Sequence, residues 1–162
     1  MTVEFRALLE SLYRKEVAFV IIGGVAATLH GSARVTFDLD IVYERAPENL
    51  ARLVSALTPF EPYLRGAPAG LPFRFDVETL KRGLNFTLTT SDGPIDLLGD
   101  LSGVGTYAAA RERSDQAEMF GGTYYYLDLE ALIVSKRAAG RPKDFEAIAE
   151  LEAIRDERQS RP

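Results

Sequence analysis

Apolar positions recur at helical spacing at the start of the chain. Phe5, Leu8, Leu9, Leu12 and Tyr13 predict an amphipathic helix over residues 3 to 15, with Thr2 placed to cap it. The run from Ala18 to Ile22 is short and unbroken, which suits a central strand covered on both faces. A short helix is expected from Val25 to His30, behind Gly23-Gly24, and a second strand from residue 38 to residue 43. Pro47 then opens a helix to about Leu57, with Leu50, Leu53, Val54 and Leu57 as its stripe.

Residues 58 to 75 carry Pro59, Pro62, Pro68 and Pro72 and predict an irregular segment forming a wall of any site nearby. A brief helix follows at Val77 to Lys81. Next comes a hairpin of Asn85 to Thr89 with Ile95 to Leu98 across the turn Ser91-Asp92-Gly93. Thr106 to Arg113 reads as helix, Thr123 to Leu127 as an aromatic-rich edge strand, and two helices, Leu129 to Ala139 and Pro142 to about Arg155, close the chain. The charged tail after Arg155 is expected to fray.

Composition narrows the chemistry. The chain has 162 residues, 46% of them hydrophobic and 27% charged, enough for one domain with an ordinary core. There are no cysteines and one histidine, which excludes thiolate metal sites, a cysteine nucleophile and any multi-histidine metal centre within one chain. Carboxylates and lysines must carry the reaction. A net charge of −5 argues against a broad nucleic-acid-binding face, so any RNA contact is expected to be local. The apolar run Val17 to Leu29 is too short and too glycine-broken to span a membrane. The mixed charges of MTVEFRALLE are unlike a secretory leader, and a cytoplasmic location is expected.

Against that background Asp38 and Asp40 stand out. They sit two residues apart in an apolar strand, so both carboxylates point to one face. Like charges raise each other's pKa and burial adds a desolvation cost, and a divalent cation relieves both. Asp96, flanked by Ile95, Leu97 and Leu98, is equally out of place in a core. If its strand lies beside that of Asp38 and Asp40, three carboxylates form the oxygen-rich site Mg²⁺ prefers. Asp100 shares the parity of Asp96 but follows Gly99 and also fits a turn cap, and Asp92 fits the turn itself.

Gly23-Gly24 ends one strand and opens a helix, exposing backbone N–H groups where a phosphate can approach. Arg34 and Thr36 share the parity of Asp38 and fit phosphate contacts, although a solvated loop arginine has the same pattern. Leu129, Leu132, Ile133 and Lys136 place a lysine on an inward helical stripe, where it either meets an anion or snorkels to water. Lys143 and Asp144 fit nucleotide contacts and ordinary helix-start chemistry equally. His30 reads as a structural group at a helix end, with a nucleotide contact as the alternative. Tyr124, Tyr125 and Tyr126 divide between core and surface, base stacking being the minor alternative.

The order of apolar strand, GG, helix, spacer and D-L-D resembles the nucleotidyltransferase superfamily that includes DNA polymerase β. More narrowly, GGVAATLHGSARVTFDLDIV with IDLL and LIVSKRAAGRPKDFEAI resembles the AbiEii-type nucleotidyltransferases, a family that includes toxins of toxin–antitoxin systems. The resemblance implies an α/β (α+β) fold of the polymerase β kind, with a small mixed twisted sheet and flanking helices over residues 1 to 162. It implies Asp38, Asp40 and Asp96 as ligands of Mg²⁺ or Mn²⁺, with Asp96 accepting a proton from the acceptor. It implies Gly23, Gly24, Lys143 and Asp144 as nucleotide-binding residues, to which the parity of Arg34 and Thr36 with Asp38 adds those two, and Lys136 would join the catalytic set near the triphosphate. In the superfamily a serine often stands where this chain has Gly24, so no hydroxyl is expected at that position.

Together these features predict transfer of a nucleoside monophosphate from a nucleoside triphosphate, ATP among them, to an acceptor hydroxyl. RNA such as a tRNA end, a small molecule and a protein all remain open as acceptors, and a cognate antitoxin is a further expected partner. A non-catalytic nucleotide- or partner-binding module and a metal-dependent phosphodiesterase are the rival readings. Catalysis depends on the carboxyl groups of Asp38, Asp40 and Asp96 lying within roughly 4 to 6 Å of one another, in an open cleft facing Gly24.

Overall fold

A computed structural model describes residues 5–162; the expected cap at Thr2 lies outside them. Seven helices and seven strands alternate irregularly among the described residues. The first half runs α1 (Arg6–Arg14), β1 (Phe19–Ile22), α2 (Gly23–Leu29), β2 (Leu39–Tyr43), α3 (Pro47–Leu57) and β3 (Tyr63–Leu64). The second half runs α4 (Val77–Arg82), β4 (Asn85–Thr89), β5 (Ile95–Leu98), α5 (Tyr107–Glu112), β6 (Ser114–Met119), β7 (Gly122–Leu127), α6 (Leu129–Ala139) and α7 (Phe145–Ser160). The strands form one mixed sheet in the order β3-β4-β5-β2-β1-β7-β6.

The most apolar strands occupy the middle of that order, as burial on both faces requires. All four residues of β1 are buried, and Leu39, Ile41, Val42 and Tyr43 of β2 are buried beside it. Helices α1 and α3 pack together through Leu8, Leu9 and Leu12 against the face bearing Leu50, Leu53 and Leu57. Ser11 donates from its hydroxyl to the carbonyl of Ala56 at 2.6 Å, so the one polar group on that buried stripe is satisfied. Asn49 is buried and ties the sheet to α3. It accepts from the Ala18 N–H at 2.7 Å and donates to the carbonyls of Ala18 and Glu44.

Three expectations are corrected, and one strand is added. Ser114–Met119, which no apolar alternation marked, is a strand because it is the outer edge of the sheet and needs only backbone pairing with β7. Consequently the tyrosine strand β7 is internal rather than an edge: Tyr124 is buried, Tyr126 lies against the His30 ring, and Arg111 stacks on Tyr125. Pro142 opens a 3-10 turn, Pro142–Asp144, rather than the last α-helix. That helix continues past Arg155 to Ser160, and Arg158 pins its end by donating to the carbonyl of His30 at 3.0 Å. Within the proline-rich stretch the structure adds a 3-10 turn at Thr58–Phe60 and the edge strand β3, which pairs with β4. No helix among the described residues is long and apolar enough to cross a membrane.

Candidate active site

Sheet register creates the site. Strand β2 pairs in parallel with β5 so that Asp40 stands directly opposite Asp96, while on its other side Asp40 faces Ile22 at the end of β1. Asp38 immediately precedes β2, and its parity with Asp40 is retained. Ligand oxygens of Asp38, Asp40 and Asp96 all lie within 4.8 Å of one another. The three acids that the sequence singled out are therefore brought together.

Gly23 closes over them. It has a left-handed φ of +63°, and a Cβ built there would lie 2.2 Å from Asp40 Oδ2. Only glycine permits both the backbone conformation and the approach. Gly24 meets a different neighbour, because its Cβ would fall 2.7 Å from Thr36 Oγ1. A hydroxyl thus does stand beside position 24, carried by Thr36 rather than by a residue of the turn.

Asp40 is the most perturbed group. Burial, and then the charges of Asp38 and Asp96, push its carboxyl up from 3.8 to about 8, with Lys136 pulling in the other direction. One of its oxygens, Oδ1, is buried with no hydrogen-bond partner. A cluster of three carboxylates with an orphaned oxygen fits a hard divalent cation, which accepts oxygen ligands and cancels the repulsion.

These residues line one open cleft of about 850 Å³, shared by Gly23, Gly24, Arg34, Thr36, Lys136 and Lys143. Lys136 is mostly buried on α6 and its Nζ lies 3.8 Å from Asp144 Oδ1. Asp144 is buried and also accepts from Arg141 at 2.7 Å and 3.3 Å. Asp144 therefore positions two cations at the cleft, a role its helix-start location did not reveal. Arg34 is drawn toward α7 by Glu146 at 3.6 Å, and Ser32 and Ala33 donate to Glu150, which anchors the loop carrying Thr36. Lys143 is exposed on the rim.

His30 stands apart from the acids. It is buried, Nε2 donates to the Leu127 carbonyl at 2.8 Å and Nδ1 faces Arg158 at 3.2 Å, while burial lowers its pKa. Both ring nitrogens are engaged in holding α2, β7 and α7 together. Asp100 is exposed on the cleft wall, and Asp92 sits exposed in the hairpin turn.

Two cleft cations were not anticipated from the sequence, Arg141 beside Asp144 and Arg65 beside the acids. The more telling of them is Arg65. It follows β3 inside the proline-rich segment, and its guanidinium lies 2.7 Å from Asp96 Oδ1 and 3.7 Å from Asp38 Oδ2. No local pattern marks it, because its placement depends on β3 pairing with β4. The expected cleft wall in this segment was the only signal.

The raised pKa of Asp40 has a measurable consequence. Folding favours the protonated carboxyl, so its contribution to stability is full below 3.8 and is lost as pH rises to about 8. Chelator-treated protein is expected to lose melting temperature across that range, and Asp40→Asn to flatten the slope. An unchanged slope in Asp40→Asn would show that another group titrates.

No family model matches the sequence, and no curated protein matches it. Solved structures do. The lincosamide antibiotic adenylyltransferase LnuA, lincomycin-bound, matches with a TM-score of 0.63 at 15% identity, covering 95% of this chain and 98% of that one. ANT(2")-Ia in complex with adenylyl-2"-tobramycin matches with a TM-score of 0.58 at 15% identity, over 96% and 95% of the two chains. A Thermotoga maritima protein described as a nucleotidyltransferase gives 0.53 at 15% identity, over 97% and 91%. At such identities the likeness is one of architecture, and the mixed seven-stranded sheet with its flanking helices is a nucleotidyltransferase fold.

Proposed function

We propose that this protein transfers a nucleoside monophosphate from a nucleoside triphosphate to a hydroxyl of a small-molecule acceptor. The observation that carries the reading is the convergence of Asp38, Asp40 and Asp96 beneath the Gly23-Gly24 turn in one open cleft. Adenylyltransferases of nearly the same length and fold act as the precedent, and their names point to ATP as the first donor to test.

Each residue has a task. The backbone N–H groups at Gly23 and Gly24 and the hydroxyl of Thr36 hold phosphate oxygens, with Lys136 and Arg141 offsetting their charge. Asp144 keeps those two cations aimed at the cleft. Asp96 takes the proton of the acceptor hydroxyl through the oxygen that Arg65 leaves free. The acceptor oxygen then bonds to the α-phosphorus, the bond to the bridging oxygen breaks, and pyrophosphate departs. Mg²⁺ or Mn²⁺ held by Asp38, Asp40 and Asp96 would supply polarisation of the phosphate and neutralisation of developing charge. Orientation of donor and acceptor in a shared cleft supplies much of the remaining rate enhancement.

The small-molecule reading follows from the cleft volume, the net charge of −5 and the near-complete coverage of the two antibiotic-modifying proteins. One observation favours RNA instead: Val35 and Phe37 are 77% and 79% exposed at the cleft beside Arg34, which is an arrangement that stacks and tracks single strands. The assay separates the two. Purified protein is incubated with α-labelled ATP and Mg²⁺, with either a panel of hydroxylated amines or total RNA. Label is expected on a small acceptor, and Asp38→Ala with Asp40→Ala is expected to abolish it. Label on RNA alone would replace the acceptor class, and transfer that survives the double variant would overturn the enzyme reading.

The Thr36 hydroxyl yields a sharper test. Thr36→Ala is expected to raise the KM for the triphosphate roughly tenfold, the worth of one charge-assisted hydrogen bond. Gly24→Ser alone should clash with Thr36, whereas Gly24→Ser with Thr36→Ala restores a hydroxyl nearby and should recover most of the loss. Failure of the double variant to improve on Thr36→Ala would remove Thr36 from phosphate binding.

A further inference from the structure

Arg65 is held in place by more than the acids it touches. Its backbone N–H donates to the Thr87 carbonyl at 3.0 Å, extending the pairing of β3 with β4. Its Nη2 donates both to the Leu88 carbonyl at 2.7 Å and to Asp96 Oδ1 at 2.7 Å, while Nη1 lies 3.7 Å from Asp38 Oδ2. Its Nε is buried without a partner. The backbone bond and the Leu88 carbonyl anchor the guanidinium independently of the carboxylates, so the positive charge stays when the acids acquire another cation. Lysine would keep the positive charge at this position without the guanidinium's planar fork.

We propose that Arg65 is a fixed counter-cation that weakens the divalent-ion affinity of the Asp38, Asp40 and Asp96 cluster, so that the ion loads together with the nucleotide's phosphates rather than before them. The inference rests on the reading of those three acids as an ion site. Arg65 offsets one of their negative charges and engages an oxygen of Asp96, leaving the ion a smaller attraction. A guanidinium that close repels a divalent ion enough to weaken binding roughly tenfold to a hundredfold after discounting for its partial exposure. A triphosphate brings both negative charge and oxygen ligands, which restores the attraction. The same contact makes Arg65 a positioning residue, since it fixes which oxygen of Asp96 remains open to the acceptor.

Mn²⁺ binding to the full chain, followed by calorimetry or by the paramagnetic signal of the free ion, tests this without turnover. Three proteins are compared, wild type, Arg65→Gln and Arg65→Lys, each with and without a non-hydrolysable ATP analogue and each checked by thermal melting. Wild type is expected to bind Mn²⁺ weakly alone and at least tenfold more tightly with the analogue. Arg65→Gln is expected to bind Mn²⁺ alone roughly tenfold or more tightly than wild type and to gain less from the analogue, with Arg65→Lys staying near wild type. Arg65→Met gives the same neutral comparison should the glutamine variant not fold. Binding by the neutral variants that is unchanged or weaker would overturn the counter-cation role, as would equal tightening in Arg65→Lys. Absence of Mn²⁺ binding by wild type even with the analogue would overturn the ion-site reading itself, and this inference with it.

Discussion

Everything at the cleft depends on one costly contact, the placement of Asp40 directly across from Asp96 in neighbouring parallel strands with Asp38 beside them. Two like charges within 4.8 Å of each other repel by about 3.5 kcal/mol or more at an effective dielectric of about 20. An ordinary hydrogen bond returns about 1 kcal/mol, so no single polar contact offsets it. The protein answers in three ways. Asp40 retains a proton to about pH 8, Arg65 brings a cation to the other two acids, and the cluster opens into a cleft where a divalent ion can enter. Such strain persists only because the buried strands on either side of β2 fix the register.

The cleft's two sides divide the work. On one, the loop carrying Thr36 is tethered to α7 through Glu150, and Lys136 and Arg141 converge on buried Asp144. That side holds cations in fixed positions, which suits a polyanion. On the other, Arg65, Asn85 and exposed Asp100 line the wall, more polar than basic. The asymmetry matches a reaction in which a triphosphate is gripped and an acceptor is only oriented. The aromatic face of β7 lies in the core and under Arg111, and takes no part in it.

The sequence revealed what periodicity and local chemistry encode. An acid in an apolar strand is conspicuous wherever its strand lies, so Asp38, Asp40 and Asp96 were legible before any pairing was known. Lys136 was legible for the same reason, as a charge on an apolar helical stripe. What stayed hidden depends on tertiary partners. Ser114–Met119 is polar because it borders solvent, so nothing in its pattern marks a strand; its backbone bonds to β7 do. Arg65 lies in an irregular segment, and only the pairing of β3 with β4 swings it to the acids. The neighbour of Gly24 was also hidden, because only the fold brings Thr36 into the space a side chain there would need. Asp144 resembled a helix-start acid until Lys136 and Arg141 were seen to flank it.

On the proposed function, the three carboxylates and the glycine turn form a single ion and triphosphate site. Anomalous diffraction from crystals grown with Mn²⁺ and a non-hydrolysable ATP analogue tests it most directly. A manganese peak is expected among Asp38, Asp40 and Asp96, with phosphates against Gly23, Gly24 and Thr36 and within reach of Lys136. A nucleotide bound away from the acids, or bound in the cleft with no manganese among them, would contradict it.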